Sequence, residues 1–73
     1  MKINKRSIVI AGRPTSISVE DEFWESLRGI AKGRGESLRQ VVAGIDADRG
    51  SANLSSAIRL FVLRHYRNQL DHL

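Results

Sequence analysis

Few residues of this chain carry side chains suited to catalysis or metal binding. Its 73 residues include no cysteine and only two histidines, His65 and His72. The two lie seven positions apart, so two turns of helix could place them on one face, but no third or fourth ligand is spaced to join them. We therefore predict surface or interface histidines, no metal site and no cofactor. The acidic residues form no general acid–base pair with an evident pocket, so we do not expect an enzyme.

Basic and hydroxyl side chains near the N-terminus are suited to a different chemistry. Residues 1–19 contain four basic residues and no acid, whereas four of the eight acids lie within residues 20–25. The basic residues are Lys2, Lys5, Arg6 and Arg13. A locally cationic segment contacts phosphates and steers a protein toward nucleic acid. A solubilising basic tail is the alternative interpretation of the same charges.

A short alternating segment, Thr15-Ser16-Ile17-Ser18-Val19, follows these basic residues. In a strand, successive side chains point to opposite faces. Ile17 and Val19 therefore face one way, and Ser16 and Ser18 face the other. Because a lone strand of this length is not stable in water, we expect a second copy of the protein to supply its partner. The polar face is then free to contact a ligand.

The residues before this strand allow two arrangements. Ser7-Ile8-Val9-Ile10 is a second β-prone stretch, and Ala11-Gly12-Arg13-Pro14 marks a turn or a bend. Residues 7–19 could therefore form a hairpin or one extended arm broken at Gly12. Residues 1–6 are expected to form a flexible basic arm.

Three helices are predicted after residue 19. Helix A is expected over residues 20–32, because Phe23, Leu27 and Ile30 recur at helical spacing. Helix B is expected over 38–47, with Ser37 and Gln40 forming a capping box. Helix C is expected over 54–70.

Helix C has Asn53 as its N-cap. Apolar residues occupy much of its circumference, which indicates a helix buried on most sides. In so small a protein that burial implies a subunit interface, and packing against helices A and B alone is the alternative.

Length and composition limit the class of protein. One domain, residues 1–73, is all that this length allows, and a domain of this size is marginally stable alone. Without cysteine, dimerisation is the remaining route to a larger core. There is no run of 18 apolar residues and no signal-peptide pattern. We therefore expect a cytoplasmic protein that does not contact a membrane.

The order of one strand and amphipathic helices in a small basic chain resembles the ribbon-helix-helix family of DNA-binding proteins. The resemblance is carried by residues 15–27, by Ile30-Ala31, by Gly35-Glu36-Ser37 and by residues 53–59. The fuller sequence resembles a short bacterial subgroup with an extra helical segment. The resemblance implies a mainly α fold with an N-terminal β-strand, in an intertwined homodimer. The ribbon would be two antiparallel strands, one from each subunit, inserted into the major groove of double-stranded DNA.

The same resemblance implies which residues contact DNA. Ser16 and Ser18 take the outward ribbon positions, while Ile17 and Val19 anchor the ribbon to the core. Stronger contacts are expected from side chains at the ribbon edge and on the arm, namely Arg13, Arg6 and Lys5. A helix N-terminus holds phosphate. Helix B would supply it through Ser37 and Arg39, or helix C would supply it through Asn53 and Ser55, with residues 37–52 then an insertion.

The function implied is a dimeric sequence-specific DNA-binding protein that represses transcription. One alternative is the antitoxin of a toxin–antitoxin pair, with a toxin as protein partner. Another is a dimeric protein–protein adaptor, because serines on the outward face read bases less well than longer polar side chains.

Overall fold

The computed structural model describes residues 2–71, which form two strands followed by three helices. The elements are β1 (Ile3–Ile10), β2 (Arg13–Glu20), α1 (Asp21–Arg34), α2 (Leu38–Asp48) and α3 (Leu54–Asp71). This order of an N-terminal sheet and helices is the predicted fold class. None of the helices within the described part of the chain is long and apolar enough to cross a membrane.

The two strands form an antiparallel hairpin, which decides between the two arrangements left open by the sequence. Its register runs from Ile3 opposite Glu20 to Ile10 opposite Arg13. Two residues connect the strands, Ala11 at φ 51° and Gly12 at φ 78°. Positive φ at both central positions is characteristic of a type I′ turn, whose twist matches that of the flanking strands.

The hairpin corrects two expectations. Residues 3–6 belong to β1, so the expected flexible arm over residues 1–6 is wrong for that part. The partner strand of β2, expected from a second copy, is supplied by the same chain. Both errors have one cause. The polar stretch Asn4-Lys5-Arg6-Ser7 carries no apolar alternation, so its strand is stabilised by pairing with β2 and not by its own pattern.

The helices begin and end where local hydrogen bonds satisfy the backbone. Helix α1 ends at the cap residue Gly35, whose N–H donates to the carbonyls of Ala31 and Lys32. Its left-handed φ of 68° turns the chain so that the N–H of Glu36 also donates to Ala31. Helix α2 has the predicted capping box between Ser37 and Gln40. Asn53 caps α3, because its Oδ1 accepts a hydrogen bond of 2.8 Å from the N–H of Ser56.

The core lies between the inner face of the hairpin and the three helices. It contains residues from every element, among them Ile17, Leu27, Val42 and Ile58, each fully buried. Helix α3 buries one stripe only, namely Leu54, Ile58 and Val62. The expectation that this helix is buried on most sides is therefore wrong for the isolated chain.

The turn of the hairpin offers a stability test. Left-handed backbone costs a residue with a Cβ about 1–2 kcal/mol, and Asn tolerates it better than Ala. We expect Ala11→Asn to create the favoured Asn-Gly turn and to raise the free energy of unfolding by roughly 0.5–1 kcal/mol. Chemical denaturation of the parent and of Ala11→Asn measures the difference in the free energy of unfolding. Ala47→Asn, at an exposed helical site, is the control and should not stabilise; equal gains at both sites would contradict the turn explanation.

Candidate nucleic-acid interface

The outer face of the hairpin is a polar surface that no other element of residues 2–71 covers. Its central residues form two cross-strand pairs, Lys5 opposite Ser18 and Ser7 opposite Ser16. All four are exposed. Ile3 and Glu20 lie beyond them at one end, and Val9 and Pro14 lie at the turn end. We call Lys5, Ser7, Ser16 and Ser18 the ribbon face.

The ribbon face has the chemistry of a surface that contacts DNA. Each serine hydroxyl donates one hydrogen bond and accepts others, so it can pair with donors or acceptors on base edges. The lysine supplies a positive charge for phosphate. A two-stranded antiparallel ribbon also fits the width of the major groove. The predicted outward positions of Ser16 and Ser18 are thus observed in the fold.

Arg13 lies at the turn end of the hairpin as the first residue of β2. It is exposed, and its guanidinium makes no ion pair with any other residue in the described range. Its carbonyl accepts a long hydrogen bond of 3.4 Å from the hydroxyl of Thr15. The arginine side chain is therefore available to a ligand, but its pairing with the buried Ile10 places it on the inner side of the pleat at the turn end and not on the ribbon face.

Arg6 lies on the inner face of the hairpin, which differs from the expected position on a flexible arm. Its guanidinium is 2.8 Å from the carboxylate of Asp21 and 4.8 Å from the ring centre of Trp24. Asn4 donates a second hydrogen bond to Asp21. The Nε of Arg6 is buried without a hydrogen-bond partner. Arg6 thus joins β1 to α1, and Trp24 is buried beneath it as a core residue.

The two candidate helix N-termini differ in their relation to the hairpin. At α2, the hydroxyl of Ser37 accepts the capping hydrogen bond from Gln40, 3.1 Å away, and Arg39 is exposed in the first turn. At α3, the hydroxyl of Ser55 accepts a hydrogen bond of 3.0 Å from the N–H of Ser18. The structure therefore brings Ser55 and the Asn53 cap beside the ribbon face.

Arg59 completes this contact between α3 and β2. Its Nη2 donates to the carbonyl of Ser18 at 3.3 Å, and its Nε donates to Glu20 at 2.9 Å. With Ser55, it satisfies both backbone groups of Ser18 that point away from β1. We call these contacts of Ser55 and Arg59 the edge clamp. It fixes the ribbon face relative to α3.

Sequence reasoning did not identify two of these residues. Ser7 belongs to the ribbon face, and the hairpin alternative would have placed it opposite Ser16 if the strand pairing had been extended across Gly12. Arg59 lies among residues 53–59, which carry the family resemblance, but the resemblance implies no role for it. No local pattern shows that it contacts a strand 39 residues earlier.

The guanidinium of Arg59 lowers the pKa of Glu20 below the ordinary range of a glutamic acid, with a further contribution from a backbone hydrogen bond. A lowered folded-state pKa favours the folded state above the unfolded-state pKa, and this contribution disappears as the pH falls through the folded-state pKa.

We therefore expect Glu20→Gln to lower the denaturation midpoint at pH 7. The difference in denaturation midpoint between the parent and Glu20→Gln should become smaller as the pH falls below the ordinary pKa range of glutamic acid. Denaturant titrations across that range measure both. Glu22→Gln, an exposed neighbour without an ion pair in the described structure, is the control. A gap of constant size would show that Glu20 does not act through its charge.

The histidines form no metal centre in the described residues. His65 lies 3.2 Å from the amide of Gln69 and stacks edge-on with Tyr66. No three His, Cys, Asp or Glu side chains among residues 2–71 are grouped to hold a metal ion. His72, the second histidine, lies outside the described residues.

Comparison with known proteins gives a family and a solved structure. A model described as a ribbon-helix-helix domain matches residues 3–66. The structure of an uncharacterized protein from Bordetella pertussis Tohama I superposes with a TM-score of 0.84 at 29% identity. The match covers 97% of this chain and 61% of that one, so the chain spans about three fifths of its length. No curated protein matches the chain.

Proposed function

Because the chain belongs to the ribbon-helix-helix family, whose members generally bind DNA and form dimers, we propose that it is a dimeric sequence-specific DNA-binding protein that represses transcription. The family supports a DNA-binding regulator or an antitoxin-type protein in general terms. We further propose that it acts in the bacterial cytoplasm.

The uncovered ribbon face carries the proposal. Lys5, Ser7, Ser16 and Ser18 lie side by side on the hairpin, and Arg13 lies at its turn. Glu20, two residues after Ser18 on the same side of β2, forms an ion pair with Arg59. The surface that enters the major groove is therefore positively charged or neutral, as contact with phosphates and base edges requires.

The residues divide into two roles. Lys5 and Arg13 neutralise phosphates at the groove walls and set the affinity. The serines approach base edges, where a single hydroxyl accepts any of several pairings and discriminates modestly. A longer side chain gives better readout, so Arg13 also contacts a base when the turn reaches the groove floor. Arg6 has no part in this mechanism because Asp21 and Trp24 hold its side chain.

The N-terminus of α3 holds the flanking phosphate in this proposal. Its edge clamp places that end of the helix beside Ser18. The positive end of the helix dipole and the N–H groups of the first turn favour an anion there. Asn53 and Ser55 order this turn, and Ser37 and Arg39 of α2 are the alternative phosphate contact.

Selection of bound sites from a random duplex pool tests the proposal. We expect an enriched motif repeated with two-fold symmetry, because a symmetric dimer presents two equal hairpins. The Lys5→Ala, Arg13→Ala double variant should enrich weakly or not at all. A pool that shows no enrichment and no binding at micromolar protein in low salt would refute the DNA-binding role. In that case capture of a toxin by the folded protein would support the antitoxin alternative.

A further inference from the structure

A groove lies between the end of α1, helix α2 and the middle of α3. Its volume is about 680 Å³, within the range of about 300–1,000 Å³ that is usual for sites of small organic ligands. We propose that this groove binds a small organic anion with an aromatic body, a carboxylate or a sulfonate. The proposal does not rest on the DNA-binding role and adds a second ligand to it.

The floor of the groove is apolar and includes an aromatic ring. Buried and half-buried side chains from α2 and α3 form it, namely Val41, Ile45, Ala57 and Phe61. Gly44 of α2 contributes only backbone to the wall, and a Cβ built on it would meet no atom within 4 Å. The groove therefore offers both an apolar surface and the room for the aromatic body of a ligand.

Two arginines with unused donors lie on the same groove, Arg34 at the end of α1 and Arg64 on α3. The Nε of Arg34 donates a hydrogen bond of 2.7 Å to Glu36, and the guanidinium lies 5.9 Å from the ring centre of Phe61. The Nη groups of Arg34 make no hydrogen bond among residues 2–71, and the guanidinium of Arg64 makes none there either. Such groups bind a carboxylate through two parallel hydrogen bonds.

The charges of the lining favour an anion beside Phe61. Arg64 lies three residues after Phe61, so it neighbours that ring on the helix surface, and Arg34 covers the same ring. Two acids also line the groove. Glu36 is paired with Arg34, and Asp48 lies at the opposite end of α2. An anionic group placed between the two arginines therefore meets positive charge that no acid of the groove balances.

The groove and the edge clamp lie on opposite faces of α3. Ala57, Phe61 and Arg64 follow one another at spacings of four and three and line the groove. Ser55 and Arg59, which form the clamp, are about half a helical turn away from Ala57. A ligand in the groove therefore leaves the ribbon face uncovered, and the site can be tested in the absence of DNA.

A fluorescence titration with anilinonaphthalene sulfonate tests the site, because this aromatic anion emits more strongly in an apolar environment. We expect saturable binding to the parent at micromolar probe. The neutral analogue phenylnaphthylamine has the same ring system without the sulfonate. It should bind about tenfold more weakly or less, because only the charged group receives hydrogen bonds from the arginines. A parent that binds no anionic probe, or binds both probes equally, would overturn the proposal.

Filling the groove from Gly44 shows where the probe binds. Leucine is a better helix former than glycine, and a Cβ has space at this position, so Gly44→Leu should keep the fold and lose saturable probe binding. Gly29→Leu is the matched control, at an exposed position of α1 outside the groove with the same free space. It should bind as the parent does. Unchanged binding by Gly44→Leu would place the probe elsewhere and refute the site.

Removing one arginine separates the charge of the site from the charge of the protein. Arg64→Ala should raise the dissociation constant of the anionic probe about tenfold, the effect of one lost hydrogen bond to a charged group, and leave that of the neutral analogue unchanged. Arg67→Ala removes the same charge from an exposed position of α3 outside the groove and should have little effect. Equal losses in the two variants would show that net charge attracts the probe, against a built site.

The outcomes also separate this site from the proposed function. If Gly44→Leu abolishes probe binding and the random duplex pool shows no enrichment, the anion site stands and the DNA-binding role fails. If the pool yields a two-fold motif and the parent binds no probe, the DNA-binding role stands and the anion site fails. Where both stand, the probe should still bind with its unchanged dissociation constant when the parent is saturated with duplex, because the ribbon face and the groove do not overlap.

Discussion

Replacing both Lys5 and Arg13 by alanine is expected to lower the affinity for duplex DNA by about 100-fold or more at physiological salt. Each phosphate contact releases counterions and contributes about 0.9 to the slope of log affinity against log salt. A dimer that loses four such contacts should have a slope shallower by about 3.6. Fluorescence anisotropy titrations of one labelled duplex over a series of salt concentrations measure both quantities.

The expected loss is specific to the hairpin because the side chains of Lys5 and Arg13 are exposed and make no ion pair in the described structure. Their removal should therefore leave the thermal midpoint nearly unchanged. Arg28→Ala with Lys32→Ala removes the same charge from exposed positions on α1 and is the control. If this control weakens binding as much, net charge and not the hairpin determines affinity, and the proposed mode of binding is wrong.

Several features of the fold follow from local sequence alone. The alternation at Ser16–Val19 has the predicted faces, and the capping box at Ser37 is present because Gln40 is three residues away. Asn53 caps α3 for a similarly local reason. In each case the residues that decide the structure are neighbours in sequence. Their pattern and spacing are then sufficient to predict it.

The features that sequence did not decide depend on contacts between distant residues. Strand β1 is held by β2 and by the contact of Arg6 with Asp21, 15 residues later. A charged residue on an inner face has no signature in a hydrophobic pattern, so Arg6 was expected on an arm. Alanine rarely adopts positive φ, as Ala11 does here, so the residues of the turn did not distinguish a hairpin from a bent arm. The edge clamp joins residues about 40 positions apart.

The site shows the same division. Ser16 and Ser18 are found by alternation, because the pleat of a strand fixes their face. The surface becomes a ribbon only when β1 adds Lys5 and Ser7 beside them. That pairing follows from the turn and the core, which no short motif contains. Whether the ribbon forms within one chain or between two chains therefore depends on tertiary contacts and not on a local sequence pattern.

Replacing Ile58 by alanine is expected to give the largest loss of stability among single changes in α3. Its side chain is fully buried, and removing so large a buried side chain costs about 2–5 kcal/mol. The free energy of unfolding of a native protein is only about 5–15 kcal/mol. The thermal midpoint should fall by about 4–8 °C for each kcal/mol lost. Thermal and urea denaturation measure the change.

Leu60→Ala is the matched control, because Leu60 lies two residues further along the same helix with 44% of its surface exposed. Its loss should cost well under 1 kcal/mol. Ile58 lies one residue before Arg59, so loosening this turn of α3 also loosens the edge clamp on Ser18. At temperatures where both variants are folded, Ile58→Ala should therefore bind DNA more weakly than the parent, and Leu60→Ala should bind as well as the parent. Equal destabilisation by the two changes would mean that the start of α3 is not packed against the core, and that the ribbon face is not held by it.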